Sequence, residues 1–251
     1  MSTKTAKQAP AQPEPARSVT LTRRQLVAIV AVVTVVVVAA LVTMFVVLSD
    51  NKSSAPVSGA HLPGQCAWAN AGQPARNSIK NPPTNVQTTG TVTVALTTSQ
   101  GPMTFTLNRS EAPCTVASFV SLASQGYFDD TPCHRVTTAG IWVLQCGDPT
   151  GSGGGEPGYF IPDEASGSEQ YPAGTIAMAR TSAPTSGGSQ FFIVYKDSPQ
   201  LMQHLGSLQY TVFGTVSSGL QVVQKVGKAG AVTGTDGRPK LRMQLLTVAV
   251  H

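Results

Sequence analysis

From Leu26 to Leu48 the chain runs for 23 residues without a charge, interrupted only by Thr34 and Thr43. A helix rising ~1.5 Å per residue crosses a ~30 Å hydrocarbon layer with that many residues. A transmembrane helix is therefore expected over residues 25–48. Secretory signal peptides usually carry apolar runs of only ~7 to 15 residues, which favours a retained anchor. Val57-Ser58-Gly59-Ala60 nevertheless offers a distant cleavage site whose use would release a soluble domain. Basic residues precede the run, whereas Asp50 and Lys52 follow it. The positive-inside bias then expects a single-pass protein of the cell membrane, N-terminus cytoplasmic and the bulk of the chain extracytoplasmic.

The flanks differ from the rest of the chain. Of the formal net charge of +5, Lys4, Lys7, Arg17, Arg23 and Arg24 against Glu14 place +4 in the first 24 residues. Beyond them 12 basic residues face 11 acidic ones, so no stripe of Lys and Arg exists to track a phosphate backbone, and nucleic acid is not expected as a partner. Residues 1–24 carry Pro, Ala, Gln and Lys with few large apolar side chains, which reads as a disordered cytoplasmic tail. Residues 49–88 hold Pro56, Pro63, Pro74, Pro82 and Pro83 among Ser, Asn, Gln and Gly, the composition of an extracytoplasmic tether.

From Thr89 the pattern changes. Val92, Val94 and Leu96 alternate with Thr and Ala, and Met103 to Leu107 alternate likewise across Thr98-Ser99-Gln100-Gly101-Pro102, which predicts a hairpin. Val116, Phe119, Val120 and Ala123 fall at helical spacing between Pro113 and Gly126. Further strand-like runs lie at Cys133 to Thr137, Trp142 to Cys146, Thr175 to Ala179, Phe191 to Val194, Thr211 to Val216 and Leu241 to Val250. Many short strands with few helices make residues 89–251 one mainly β domain, a barrel or a sandwich.

All four cysteines, Cys66, Cys114, Cys133 and Cys146, lie beyond the apolar run, where an oxidising compartment permits disulfides. No C-x-x-C pair and no histidines at ligand spacing accompany them, so neither zinc nor another metal is expected. If 133–137 and 142–146 form a hairpin, Cys133 and Cys146 face each other at its open end and should bond, leaving Cys66 to pair with Cys114. Four unpaired buried thiols are the alternative.

No G-x-S-x-G elbow, H-E-x-x-H or Walker loop is present, and the glycine run Gly151-Ser152-Gly153-Gly154-Gly155 lacks a following Lys-Ser/Thr, which makes it a mobile surface loop. Yet Tyr127-Phe128-Asp129-Asp130-Thr131-Pro132-Cys133-His134-Arg135-Val136, Leu144-Gln145-Cys146-Gly147-Asp148-Pro149-Thr150, Met178-Ala179-Arg180, Gly188-Ser189-Gln190-Phe191-Phe192-Ile193 and Tyr210-Thr211-Val212-Phe213-Gly214 follow one another in an order that resembles the cyclophilin family. The anchored form with these cysteines and a Gly-rich loop looks like the actinobacterial branch. The resemblance spans about Thr89 to the C-terminus. It implies an eight-stranded antiparallel barrel capped by two helices, the second at Ser218 to Val226, and a peptidyl-prolyl cis-trans isomerase acting without cofactor or covalent intermediate on X-Pro bonds of secreted or envelope proteins.

By the same resemblance Arg135, Gln145 and Gln190 are the expected catalytic residues, Arg135 stabilising the twisted amide with a planar fork that Lys lacks. Phe192 and Phe213 would floor the proline pocket, with Val143 and Met178 or Leu201 at its wall, and Ala179 and Arg180 would lie along the substrate main chain. Phe191, one residue from Phe192, is expected on the opposite, core face. The family's pocket phenylalanine falls at Ile141 or Trp142, of which Trp142 is preferred. The family's histidine is Tyr210 here, and the Trp-Leu pair of many members is Gln200-Leu201, within the pocket rim at 198–209. The missing tryptophan should weaken binding of cyclosporin more than turnover. A binding or chaperone module that holds proline-containing segments with little turnover is the alternative reading.

Overall fold

The computed structural model describes residues 64–76, 78–201 and 209–251. The expected transmembrane helix at 25–48 and the tail at 1–24 lie outside the described residues. Among those described, no helix is long and apolar enough to cross a membrane.

The hairpin read from the alternation is present as β2 (Thr91–Thr98) and β3 (Gly101–Asn108), which follow a short β1 (Ala69–Asn70). Val92, Val94 and Leu96 of β2 and Met103, Phe105 and Leu107 of β3 are all buried, while their neighbours face outward, as a sheet with one covered face requires. The two-residue turn is closed by Thr98, whose hydroxyl donates to the Gly101 carbonyl at 2.6 Å and accepts from the Gln100 N–H at 3.1 Å.

Helix α1 (Pro113–Ser124) starts with proline at its first turn and buries Val116, Phe119, Leu122 and Ala123. Its own N-cap residue, Ala112, has no side chain to cap the open amides. Glu164 does this instead, accepting from the Cys114 and Thr115 N–H groups at 2.8 Å each and from the Thr115 hydroxyl at 2.7 Å. A carboxylate there also complements the positive end of the helix dipole.

The remaining elements are β4 (Thr131–Pro132), β5 (Arg135–Thr137), β6 (Val143–Cys146), β7 (Tyr159–Phe160), β8 (Thr175–Met178), β9 (Phe191–Val194), β10 (Val212–Ser218), α2 (Leu220–Ala229), β11 (Asp236–Gly237) and β12 (Gln244–Val250). The eight strands expected of the barrel are here one ten-stranded antiparallel sheet in the order β11-β5-β6-β9-β8-β10-β3-β2-β12-β4. β4 and β5 sit near opposite ends of that order yet are only three residues apart in sequence, so the sheet must curl round. Cys133 N–H bonds the Met243 carbonyl beside β12 at 2.9 Å, and His134 N–H bonds the Gln145 carbonyl of β6 at 3.0 Å. The second helix begins two residues later than expected, after Gly219 at φ 86°. A Cβ there would meet the Pro102 carbonyl at 2.5 Å.

The concave core collects rings: Phe119 stacks on Phe128 at 4.8 Å and meets Phe191 edge-on at 5.3 Å. A smaller apolar cluster of Val143, Tyr171, Ala177, Phe192, Val194 and Leu201 lies apart from it. Both disulfides form with the expected partners, Cys133 with Cys146 and Cys66 with Cys114. The second corrects the extent of the tether. Residues 64–76 and 78–88, expected as part of the tether, are attached to the domain: Cys66 is buried, β1 pairs with β7, and Cys66 N–H bonds the Thr84 carbonyl at 2.7 Å.

Candidate active site

Strand register creates the site. Arg135 of β5 pairs with Gln145 of β6, Gln145 with Phe192 of β9, Phe192 with Ala177 of β8, and Ala177 with Val212 of β10. Directly paired residues point to the same side of a sheet, so five strands contribute one row. It starts charged, passes through an amide and ends apolar. Ala177 is fully buried and packs in the same cluster as Phe192.

A cavity of about 180 Å³ opens over Arg135, Gln145 and Phe192 of this row. Of the residues expected at the site, Arg135, Gln145, Gln190, Phe192, Val143, Ala179, Arg180, Leu201 and Tyr210 line it. Phe213, Trp142 and Met178 do not. Alternation accounts for Trp142 and Met178: Ile141 and Val143 reach the cavity, which turns Trp142 away, where the Lys196 ammonium lies 4.2 Å from its ring centre. Ala177 and Ala179 belong to the outer cluster, which turns Met178 into the main core. Phe213 is fully buried in that core, 5.6 Å from Phe119, because its neighbour Val212 takes the outer face. Phe191 is in the core, as expected.

A continuous hydrogen-bond chain crosses the polar half. Arg135 Nε and Nη2 donate to Asp236 Oδ1 and Oδ2 at 2.7 Å each, and Arg135 Nη1 donates to Gln145 Oε1 at 3.0 Å. Gln145 Nε2 donates to Gln190 Oε1 at 2.9 Å, and Gln190 Nε2 donates to the Gly153 and Gly155 carbonyls at 2.9 and 3.2 Å. The Asp236 contact raises the Arg135 pKa against the effect of burial, and the same contact holds the Asp236 carboxyl below its ordinary range.

The glycine run expected to be a mobile surface loop is tied down at both ends. Asp148 is fully buried and accepts from the Thr150 N–H at 2.7 Å, the Gly153 N–H at 2.6 Å and the Thr150 hydroxyl at 2.7 Å. Burial alone would raise its pKa, but these donors hold it below the usual value. Gly147, at φ 93°, lets the chain pass so close to Ser189 that a Cβ would stand 2.3 Å from its carbonyl oxygen.

Ile141, the alternative not preferred at the pocket phenylalanine place, lines the cavity, and sequence reading missed Gly153, Glu156, Thr181 and Ser186 of its lining. Glu156 is the chemically distinct one. Its Oε2 is buried without a hydrogen-bond partner and takes the space that a Cβ on Gly188 would occupy. Desolvation pushes its carboxyl from 4.5 to about 7, with the Ser189 backbone and Gln190 amide offsetting only part of that. No motif marks it, since its position follows from the loop that Asp148 shapes. Arg180 is folded inward: its side chain is 2% exposed, Nη1 donates to the Ala183 carbonyl at 3.2 Å, and Asp163 lies 3.7 Å away. On the apolar side Tyr210 meets the Phe192 ring edge-on at 5.0 Å, and burial raises its hydroxyl pKa. Leu201 is buried, whereas most of the expected rim, 202–208, lies outside the described residues.

Comparison with known proteins places this arrangement. The family model described as cyclophilin type peptidyl-prolyl cis-trans isomerase/CLD matches residues 93–250. The probable peptidyl-prolyl cis-trans isomerase B of Mycobacterium tuberculosis H37Rv is 41% identical over 206 residues, covering 75% of this chain and 65% of that protein. The protein of the same description from Mycobacterium leprae is 44% identical over 163 residues, covering 59% and 53%. The matches thus span less than two thirds of these mycobacterial relatives. Bacillus subtilis peptidyl-prolyl cis-trans isomerase B is 42% identical over 123 residues, 49% of this chain and 80% of that one. Among solved structures, a Cryptosporidium parvum cyclophilin-type isomerase superposes with a TM-score of 0.55 at 27% identity, covering 64% and 98%.

Proposed function

This chain belongs to the cyclophilin-type peptidyl-prolyl cis-trans isomerase family, and we propose that it catalyses rotation about X-Pro bonds in secreted or envelope proteins. The observation that carries this reading is the juxtaposition of the Arg135 guanidinium with an apolar floor built on Phe192 in one row of the sheet.

The chemistry follows from the amide. Rotation about C–N faces ~18 to 20 kcal/mol because resonance gives the bond double-bond character. Twisting it localises the lone pair on nitrogen, which then becomes a hydrogen-bond acceptor. An N–H donor aimed at that nitrogen stabilises the twisted amide more than the planar one, which is the condition for catalysis. Arg135 supplies such donors with a permanent charge. Phe192, Val143, Ile141 and Leu201 offer a dry surface to the proline ring, so the prolyl side can stay fixed while the preceding carbonyl turns. No bond is made or broken, and the step calls for no nucleophile or cofactor.

The compartment is part of the proposal. Two disulfides in the domain fit an oxidising environment, and the uncharged run at 26–48 behind a basic segment supports a single-pass anchor with the domain extracytoplasmic. Protease added to intact cells should then remove the domain and leave a short membrane-bound fragment, while full protection would contradict the orientation.

The activity is tested on the full chain in detergent with a proline peptide whose trans form alone is cleaved by a coupled protease. Turnover that falls at least tenfold in Arg135→Ala is the expected result, and turnover unaffected by that change would remove Arg135 from the mechanism. Tight peptide binding without turnover in the wild type would favour the alternative of a binding or chaperone module. Cyclosporin is expected to inhibit only weakly, given Gln200 beside Leu201 at the rim.

A further inference from the structure

We propose that Asp236 is a positioning residue that sets the angle of the Arg135 guanidinium, so that its remaining N–H groups are presented to the substrate. The inference rests on the isomerase reading above and adds to it a residue 101 positions away in sequence.

The placement is made by the backbone. β11 pairs with β5 in the register Asp236 to Thr137 and Gly237 to Val136. Thr137 is two residues beyond Arg135 and shares its face of the strand, so Asp236 lies diagonally across from Arg135 at a distance long side chains reach. The loop that carries it is closed on itself by Val232 N–H to the Arg238 carbonyl at 2.8 Å, and it is joined to the end of β5 by Thr138 N–H to the Thr235 carbonyl, also 2.8 Å. Asp236 is therefore held by main-chain bonds that do not depend on its side chain.

Donor arithmetic shows what the pairing does. A guanidinium has five N–H groups in a rigid plane. Nε–H and one Nη2–H go to the two Asp236 oxygens, and one Nη1–H goes to Gln145. Two remain, one on each Nη. Because both carboxylate contacts are at 2.7 Å, the plane has little freedom to rotate about the Arg135 stem, and the two spare N–H groups point in fixed directions. Stability is an unconvincing reason for the pair, since the side chains are 39% and 54% exposed and exposed ion pairs contribute little. Orientation is the more demanding need: misplacement of a catalytic donor by a fraction of an ångström weakens a contact made only in the transition state.

The test uses the full chain in detergent micelles, with Asp236→Asn, Asp236→Ala and Asp236→Glu. Labelling arginine with nitrogen-15 gives a resonance for the Arg135 Nε–H, assigned by its loss in Arg135→Lys. The expected result is a fall of roughly tenfold in kcat/KM for Asn and Ala, with partial recovery in Glu. It is accompanied by a changed Arg135 Nε–H shift and faster exchange of that proton with water, at an unchanged melting temperature. An Nε–H signal that neither shifts nor exchanges faster overturns the proposal, as does turnover within twofold of wild type in the Asn variant. Increased turnover overturns it too, because Asp236 would then restrain Arg135 rather than present it. If the wild type itself shows no turnover, the isomerase reading fails, and the Nε–H measurement alone decides whether Asp236 orients the arginine.

Discussion

Gln145 Nε2 lies 2.9 Å from Gln190 Oε1, and this single bond dictates which way both amides face. Gln145 must present its carbonyl to Arg135, and Gln190 must present its NH₂ to the Gly153 and Gly155 carbonyls. Gln190→Glu keeps the shape but turns two donated bonds into oxygen facing oxygen. We expect a loss of roughly 1–3 kcal/mol in denaturant unfolding, the cost of unsatisfied buried polar groups, and faster amide exchange in the glycine loop. An exchange pattern identical to wild type would show that the loop does not depend on Gln190.

Phe192 and Phe191 are adjacent but belong to different apolar clusters. Phe191→Ala should cost at least the ~3–5 kcal/mol typical of a core phenylalanine. Phe192→Ala, beside an open cavity, should cost about 3 kcal/mol or less while abolishing most turnover. Phe192→Leu should recover stability more fully than kcat/KM. Unfolding curves read beside the peptide assay separate the two effects, and equal recovery of both would argue against a proline floor at this ring.

Glu156 introduces a pH dependence whose sign is fixed by its environment. Its carboxyl is raised from 4.5 to about 7 in the fold, so the folded state holds the proton more tightly than the unfolded chain. The corresponding stabilisation is complete below about pH 4.5 and is lost as pH rises through about 7. Relative to Glu156→Gln, the wild type should lose on the order of 3 kcal/mol between pH 4.5 and pH 8. Parallel stability curves for the two proteins across that range would contradict a buried carboxyl here.

Cys66 and Cys114 join a segment outside the main sheet to the start of α1, 48 residues along the chain. Replacing both with Ser should cost about 2–4 kcal/mol by loosening the unfolded-state constraint. It should also expose the β1–β7 ladder at Ala69 and Tyr159 to fast amide exchange, leaving the β5–β6 pairing protected by Cys133–Cys146. Loss of turnover in this variant without loss of stability would reveal a link between the two regions that the hydrogen bonds do not suggest.

Much of the architecture was legible because local pattern and local chemistry agree. The alternation around Val92 to Leu96 and Met103 to Leu107 can bury only one face of a hairpin, and Pro113 with the spacing of Val116, Phe119 and Ala123 leaves little but a helix. Cys133 and Cys146 are readable as partners because the paired strands β5 and β6 are joined by a short connection, with Cys133 two residues before β5 and Cys146 at the end of β6. The division of Phe191 from Phe192 needed only the two-residue period of a strand.

The misreadings share a cause. Trp142 is preferred to Ile141, and Met178 and Phe213 are placed at the pocket, because the resemblance assigns roles by position in a motif, whereas the face each residue takes depends on the register of its strand with its neighbours. That register is set by pairing across distant segments. The same holds for the tether, since residues 64–76 and 78–88 read as a linker on composition and are packed down by a disulfide, the β1–β7 ladder and the Gln65–Asn85 bridge. Sequence by itself determined the longer strands, the first helix, the Cys133–Cys146 pair and the identity of the motif residues, because these follow from periodicity and chemistry over a few residues. Only the tertiary structure decided that Glu156 is a desolvated acid in the cavity and that Asp236 reaches Arg135. Glu156 is brought there by the loop that Asp148 shapes and Asp236 by the pairing of β11 with β5, 101 positions from Arg135 in sequence, and no motif marks either residue.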